Sequence, residues 1–297
     1  MRITMQSDLN PNDLELTLWD YAITGDAVDL RGEAAVAFAK THSRETHNFR
    51  YNPKTLQVHF NDKTFDAEEP ECILANMSKG SVLLETTTLS FVDILLCCRA
   101  LKQNCNRELH LVYTEPKNYF KPQRSHISHR RKFDLSDEVE EFTGVPGNTI
   151  LIMGERPLKV VVFVGFEGQR LSRLLEQTSI LPSKCEITFG VPAFHAGWEM
   201  DAFSNNLNVL KGSEIASRVH FCGAQNPLSA YDTLQKIFDS CYDERLLVAP
   251  IGTKPHGIGT ALFLCEHPNV GVVYDNPKRK EKRTENVETW HLFHAEF

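Results

Sequence analysis

Three consecutive residues near the end of the chain, Gly252, Thr253 and Lys254, carry the clearest chemical potential in the sequence. They sit inside "LLVAPIGTKPHGIGTAL" (246–262), an apolar run, a glycine-bearing turn and the start of a helical pattern. A turn of this kind offers backbone N–H groups, a hydroxyl and an ammonium at a helix N-terminus, which together suit an anion such as phosphate. It is not a Walker A loop, because the spacer and the Gly-Lys-Ser/Thr order are absent. The same residues also suit a tight strand–helix turn with a surface lysine.

A second turn, "GFEGQR" (165–170), brackets Glu167 between Gly165 and Gly168, with Arg170 one helical step on. A carboxylate held there suits contact with a ribose or general-base work. Pairing of Glu167 with Arg170 on a solvated turn is the plainer alternative. Glu199 and Asp275 are the other acids positioned to share acid/base work with Glu167 across a ribose. Trp198, between Gly197 and Glu199, reads as a loop residue able to stack on a base. His195 beside it reads as structural. In the first half, "ETTTLS" (85–90) places Thr87 and Thr88 where a matching phosphate loop would lie, or where they cap the next helix.

These turns need elements to hold them. "LKVVVFVGF", "CEITFGVPAF", "SRVHFCGA", "RLLVAPIG" and "NVGVVYDNP" are short apolar strands separated by helical stretches. That alternation predicts right-handed crossovers and a parallel sheet covered on both faces, a Rossmann-like doubly wound domain over 151–297. Residues 1–150 read as a smaller α/β domain with antiparallel strands: "HNFRYNPKTLQVHFNDKTFDAEE" has the turn signals of a hairpin or meander, and "GSVLLETTT" to "RELHLVYTEP" forms a βαβ unit. The acidic, glycine-bearing stretch 137–157 marks the boundary, and "TWHLFHAEF" adds a sheet edge strand.

Composition narrows the classes. The chain has 297 residues and a formal net charge of −7, which argues against bulk electrostatic coating of nucleic acid. Two basic clusters stand out from this background. One, "KPQRSHISHRRK", carries Arg130 and Arg131; the other, "PKRKEKR", carries Lys278, Arg279 and Lys280. At a common rim they would suit an oligonucleotide or polyphosphate, and as separate loops they are simply solvated. The eight cysteines are scattered without zinc spacing and read as reduced, mostly buried thiols. His126 and His129 form a possible metal pair without nameable further ligands, so no metal and no cofactor is expected. No apolar run approaches the roughly 20 residues that span a bilayer, and no signal-peptide core opens the sequence, so a cytoplasmic protein without membrane contact is expected.

The segment "APIGTKPHGIGTALFL" resembles the strand–Gly-Thr-Lys–helix signature of CARF domains, the Rossmann-like nucleotide sensors of prokaryotic immunity, and of the related SAVED domains, which join two such units. The resemblance implies that Gly252, Thr253 and Lys254 face ligand phosphate and that "ETTTLS" is the corresponding loop of a first unit. Ile251 stands where the family carries a further glycine, and Pro255 follows the lysine directly. The expected function is a nucleotide- or oligonucleotide-binding sensor that works with a separate effector, as a homo-oligomer or with a protein partner. An N-glycosidase or phosphoesterase using Glu167 with Asp275 or Glu199 is the enzymatic alternative, and a protein-interaction subunit is a third.

Overall fold

The computed structural model describes residues 2–7, 9, 18–74, 77, 80–103, 109–119, 135–152, 154, 156–212, 218–281 and 283–297. Along the chain come β1 (Arg2–Gln6), β2 (Trp19–Thr24), α1 (Leu30–Thr41), β3 (Ser43–Asn52), β4 (Gln57–Phe60), β5 (Lys63–Asp66), α2 (Pro70–Ile73), β6 (Val82–Glu85), α3 (Phe91–Gln103) and β7 (Leu109–Tyr119). Then follow β8 (Ser136–Glu138), β9 (Thr143–Gly144), β10 (Leu158–Val164), α4 (Gly168–Thr178), β11 (Cys185–Gly190), α5 (Trp198–Gly212), β12 (Val219–Cys222) and α6 (Pro227–Asp239). The remainder is β13 (Arg245–Pro250), α7 (Lys254–Glu266), β14 (Gly271–Tyr274), β15 (Lys278–Arg279) and β16 (Thr284–Glu296). The protein is of mixed α/β class.

The chain divides into two compact units, Met1–Phe120 with Lys280–Phe297, and Lys121–Arg279. The sequence pattern places the boundary at 150/151 and the last strand in the second domain. In the structure β16 instead lies inside the first unit's sheet, of order β1-β16-β7-β6-β2-β3-β4-β5. It is therefore not an edge strand, since it pairs antiparallel with both β7 and β1. Its alternation explains the placement: Phe293 and Ala295 are fully buried while their neighbours are partly exposed, which suits an internal antiparallel strand.

In that first sheet β2, β3, β6 and β7 are parallel neighbours, and β3, β4 and β5 form an antiparallel meander. Its turns place Leu56 and Asn61 at positive φ. α3 starts from a reciprocal cap: Asp93 Oδ2 accepts from Ser90 N–H at 2.7 Å and Ser90 Oγ accepts from Asp93 N–H at 3.1 Å.

The second unit's sheet has the order β12-β11-β10-β13-β14-β9. The first five strands are mutually parallel, and β9 pairs antiparallel with β14. Every residue of β10 is buried, as expected for a strand covered on both sides; its sequence LKVVVFV is apolar except for Lys159, which pairs with Glu186 and Glu244. Leu158, Val160, Val162 and Val164 pack with Leu171 and Leu174 of α4 and Ala202 of α5. Phe163, on the opposite face, meets the ring of His256 in α7 at 5.1 Å. The helix starts are capped as their sequences suggest: Asn226 accepts from Ser229 N–H ahead of α6, and Thr253 accepts from His256 N–H ahead of α7.

Candidate functional site

β10 and β13 are adjacent in the second sheet, yet the chain leaves β10 toward β11 on one side and reaches β13 on the other. The order of strands thus reverses between them, and the loops after their carboxyl ends share that position. Gly165 follows β10 and Gly252 follows β13. The two loops approach closely, so that a Cβ added to Gly165 would lie at van der Waals distance, 3.6 Å, from Gly252 Cα. A Cβ on Gly252 would meet His256 Nδ1 at 3.1 Å and both Phe163 Cβ and Val164 O at 3.2 Å. A side chain at Gly252 would require its neighbours to give way, whereas Gly165 has room for a Cβ.

Arg170, in the first turn of α4, braces this crossing from below. Its Nε and Nη2 donate to the two carboxylate oxygens of Asp275 at 2.8 and 2.5 Å, and its Nη1 donates to Ile251 O at 3.1 Å. One guanidinium thereby ties together the ends of β10, β13 and β14. Burial pulls the Arg170 pKa down, but the charge and hydrogen bonds of Asp275 outweigh it and hold the pKa above the ordinary arginine value. The guanidinium also lies 5.7 Å from the centre of the Tyr274 ring. Asp275 has no exposed surface. Both its oxygens face Arg170, so the arginine's partner is Asp275 and not the neighbouring Glu167.

Glu167 is bound elsewhere. Its Oε1 accepts from Leu135 N–H and its Oε2 from Ser136 Oγ, each at 3.2 Å, so it anchors the segment that leads into β8. Glu199 turns back on its own helix start, where both carboxylate oxygens accept from Gly197 N–H. Trp198 is not a loop residue: it opens α5, is only 6% exposed, and packs edge-on against Phe166 at 5.6 Å and His195 at 4.4 Å. The positive φ of Gly197 makes the turn that admits the helix there.

In the loop itself, Thr253 Oγ1 donates to Ala224 O at 2.7 Å and also caps α7, tying the turn to the loop after β12. Lys254 is the first residue of α7 and is half-buried. Two residues that carry no signal in the sequence complete the site. Asn206 of α5 donates through Nδ2 to Gly165 O and to Ala202 O, both at 2.8 Å. His256 is fully buried, with Nε2 3.2 Å from Gly223 O and 3.3 Å from Cys222 Sγ. The carbonyl accepts, so Nε2 carries the proton and Nδ1 keeps a lone pair with no hydrogen-bond partner. Burial lowers the His256 pKa to about 4 and raises that of the Cys222 thiol to about 12. The two are a neutral contact and not a thiolate–imidazolium pair. His256 was legible only as a histidine in the first turn of the helix after Gly-Thr-Lys.

Thr87 and Thr88 belong to the first unit, in a loop that closes on its own acid. Glu85 Oε1 accepts from Thr87 N–H at 2.6 Å, and Oε2 accepts from Thr88 N–H at 3.0 Å and from the Thr88 hydroxyl. Thr88 Oγ1 accepts from Gly25 N–H at 2.9 Å, and Thr87 Oγ1 accepts from Thr114 N–H at 3.0 Å. A carboxylate of the chain thus occupies the place an incoming anion would take.

Lys278 and Arg279 form β15, which pairs with β8; Lys278 is exposed, and Arg279 and Lys280 are half-buried. Arg130, Arg131, His126 and His129 lie outside the described residues. Among the described residues no three or more His, Cys, Asp or Glu side chains gather where a metal ion could be held, and no helix is long and apolar enough to cross a membrane. The described cysteines, including the fully buried Cys97 and Cys98, are free thiols. No family model matches the chain and no curated protein matches its sequence, so the functional reading rests on its own residues and geometry.

Proposed function

We propose that the second unit is a Rossmann-like binding module for a nucleotide or short oligonucleotide, and that the protein is a sensor or regulatory subunit acting with a separate effector. The observation that carries this reading is the close approach of the loops bearing Gly165 and Gly252 where the strand order reverses, the position at which open parallel sheets bind ligands. Two small residues there let the loops after β10 and β13 pack closely at the mouth of the crevice. The positive end of the α7 dipole and the Lys254 ammonium would supply the attraction for a phosphate, while Pro255 has no N–H and the His256 N–H is held by Thr253. The resemblance of "APIGTKPHGIGTALFL" to CARF and SAVED domains favours the same class of ligand and a role in prokaryotic antiviral defence.

The nucleotide-processing alternative has less support. Glu167, Glu199 and Asp275 each spend their carboxylate oxygens on partners within the fold, and Asp275 has no exposed surface. A general acid or base must reach the proton that it transfers.

The reading is tested by thermal shift of the purified chain against mononucleotides, cyclic oligonucleotides and short RNA or DNA, with mass analysis of each mixture. A ligand at about 100 times its Kd raises stability by roughly 2.7 kcal/mol. Stabilisation that leaves the ligand intact and is lost in Lys254→Gln supports the sensor. Conversion of the ligand moves the assignment to an enzyme, and silence across the panel removes it.

A further inference from the structure

Three neighbouring strands of the first unit bring a hydroxyl, an imidazole and a carboxylate into one line. Ser7 follows β1, His291 lies in β16 and Glu115 in β7, and these strands are adjacent in the order β1-β16-β7. β1 pairs antiparallel with β16 as far as Gln6 and Leu292, so the next step along the chain brings Ser7 opposite His291. Ser7 Oγ lies 3.0 Å from His291 Nδ1, and Glu115 Oε2 lies 3.0 Å from His291 Nε2. These partners set the tautomer. A carboxylate accepts, so in the neutral ring Nε2 carries the proton, and the Nδ1 lone pair accepts from the Ser7 hydroxyl.

The surroundings fix the ring between its two partners. Tyr113 stacks on His291 with ring centres 6.0 Å apart and planes at 19°, and Phe293 lies parallel to it at 6.1 Å. His291 and Glu115 are buried, whereas Ser7 is exposed at the margin of the sheet, of which β1 is the outer strand. A serine hydroxyl is a weak nucleophile until a base within hydrogen-bond reach takes its proton, and the base works best when a third group orients it. Here the accessible member is the hydroxyl, and the two shielded members are the base and the acid behind it.

We infer that Ser7, His291 and Glu115 form a nucleophilic acyl-transfer site for esters, in which Ser7 attacks, His291 carries the proton and Glu115 positions His291. Ser7 Oγ adds to the ester carbonyl carbon as its proton passes to His291 Nδ1. The bond from that carbon to the alcohol oxygen then breaks, and the alcohol leaves with the proton held at Nδ1. Water repeats both steps on the Ser7 ester, which releases the carboxylic acid and restores the hydroxyl. Glu115 stabilises the positive ring that forms in between. The site lies within the first unit and is independent of whether the crevice after β10 and β13 binds a nucleotide.

Two probes test the inference on the purified full chain: a fluorophosphonate, which labels an activated serine covalently, and p-nitrophenyl acetate, whose turnover is read as p-nitrophenol. Mass analysis is expected to find the adduct on Ser7, and p-nitrophenol release is expected to exceed the buffer rate. Ser7→Ala, checked for fold by circular dichroism, should remove both signals. His291→Gln should lower turnover by about 10²–10⁴-fold. Glu115→Gln should lower kcat by at least about tenfold with KM little changed, a split that a purely structural carboxylate would not give. If either buried variant fails to fold, the exposed Ser7→Ala decides. Lack of an adduct on Ser7, lack of ester turnover, or labelling as fast in the urea-unfolded chain overturns the inference. So does turnover indifferent to any of the three substitutions.

Discussion

Arg170 and Asp275, 105 residues apart in the chain, meet through two hydrogen bonds of 2.8 and 2.5 Å in a setting that exposes neither appreciably. The pair joins the start of α4 to the end of β14 and fixes the floor beneath the loops after β10 and β13. Removing one member leaves a buried charge without its partner, a larger penalty than removing both. Asp275→Ala should lower stability to urea by about 3–5 kcal/mol, whereas Arg170→Met/Asp275→Leu should recover most of the loss. A cost below about 1 kcal/mol for Asp275→Ala would show that the pair contributes little to holding the site.

His256 makes stability depend on pH. Its pKa falls from 6.5 in the ordinary imidazole to about 4 in the fold, chiefly through burial. Between these values the unfolded chain binds a proton that the native protein does not. Its contribution is therefore full above about pH 6.5 and is lost as the pH drops toward 4, by about 3 kcal/mol in all. Unfolding free energies measured across this window should fall more steeply in the parent than in His256→Phe. Parallel pH profiles would sink the assignment.

Gly259 is a packing residue in mid-helix. A Cβ at this position of α7 would fall 2.2 Å from Pro227 O at the start of α6, and backbone cannot yield as a side chain tip can. Gly259→Ala should cost about 1–3 kcal/mol despite alanine's better helix propensity, because overpacking outweighs it. A Tm equal to or above that of the parent would show that the two helices separate freely.

Glu85 satisfies the loop of Thr87 and Thr88 from inside the first unit. Glu85→Ala leaves two buried N–H groups without an acceptor, so a loss of about 2–4 kcal/mol is expected, with faster amide exchange at Thr87 and Thr88. If exchange at these two amides is unchanged, the carboxylate is not what holds the loop.

The parallel strands of the second unit were legible because each is an apolar run too short for a helix and punctuated by turn residues. The meander of β3 to β5 showed in its alternation and its Asn-Pro and Asn-Asp turns. What escaped was long-range. Nothing local to Arg170 distinguishes a partner at Asp275 from one at Glu167, three residues away. The same local emphasis kept Trp198 in a loop, although Gly197 at positive φ starts a helix there. β16 reads as a plausible edge strand because its pattern is antiparallel, and only its pairing with both β1 and β7 reveals that it is internal. His256 and Asn206 escaped because a histidine and an asparagine inside helices carry no signal until the loops they touch are known.

The place of β16 also bears on how the molecule is made. The strand that fills the gap between β1 and β7 is encoded after the whole of the second unit. A ribosome working from the N-terminal side must therefore deliver residues 121–279 before the first sheet can close. During that interval β7 presents an open row of backbone donors and acceptors beside a strand of buried apolar residues, the kind of edge that recruits unwanted partners. The second unit, whose strands are contiguous in sequence, is free to fold first. The half of the protein begun earliest is thus the half finished last.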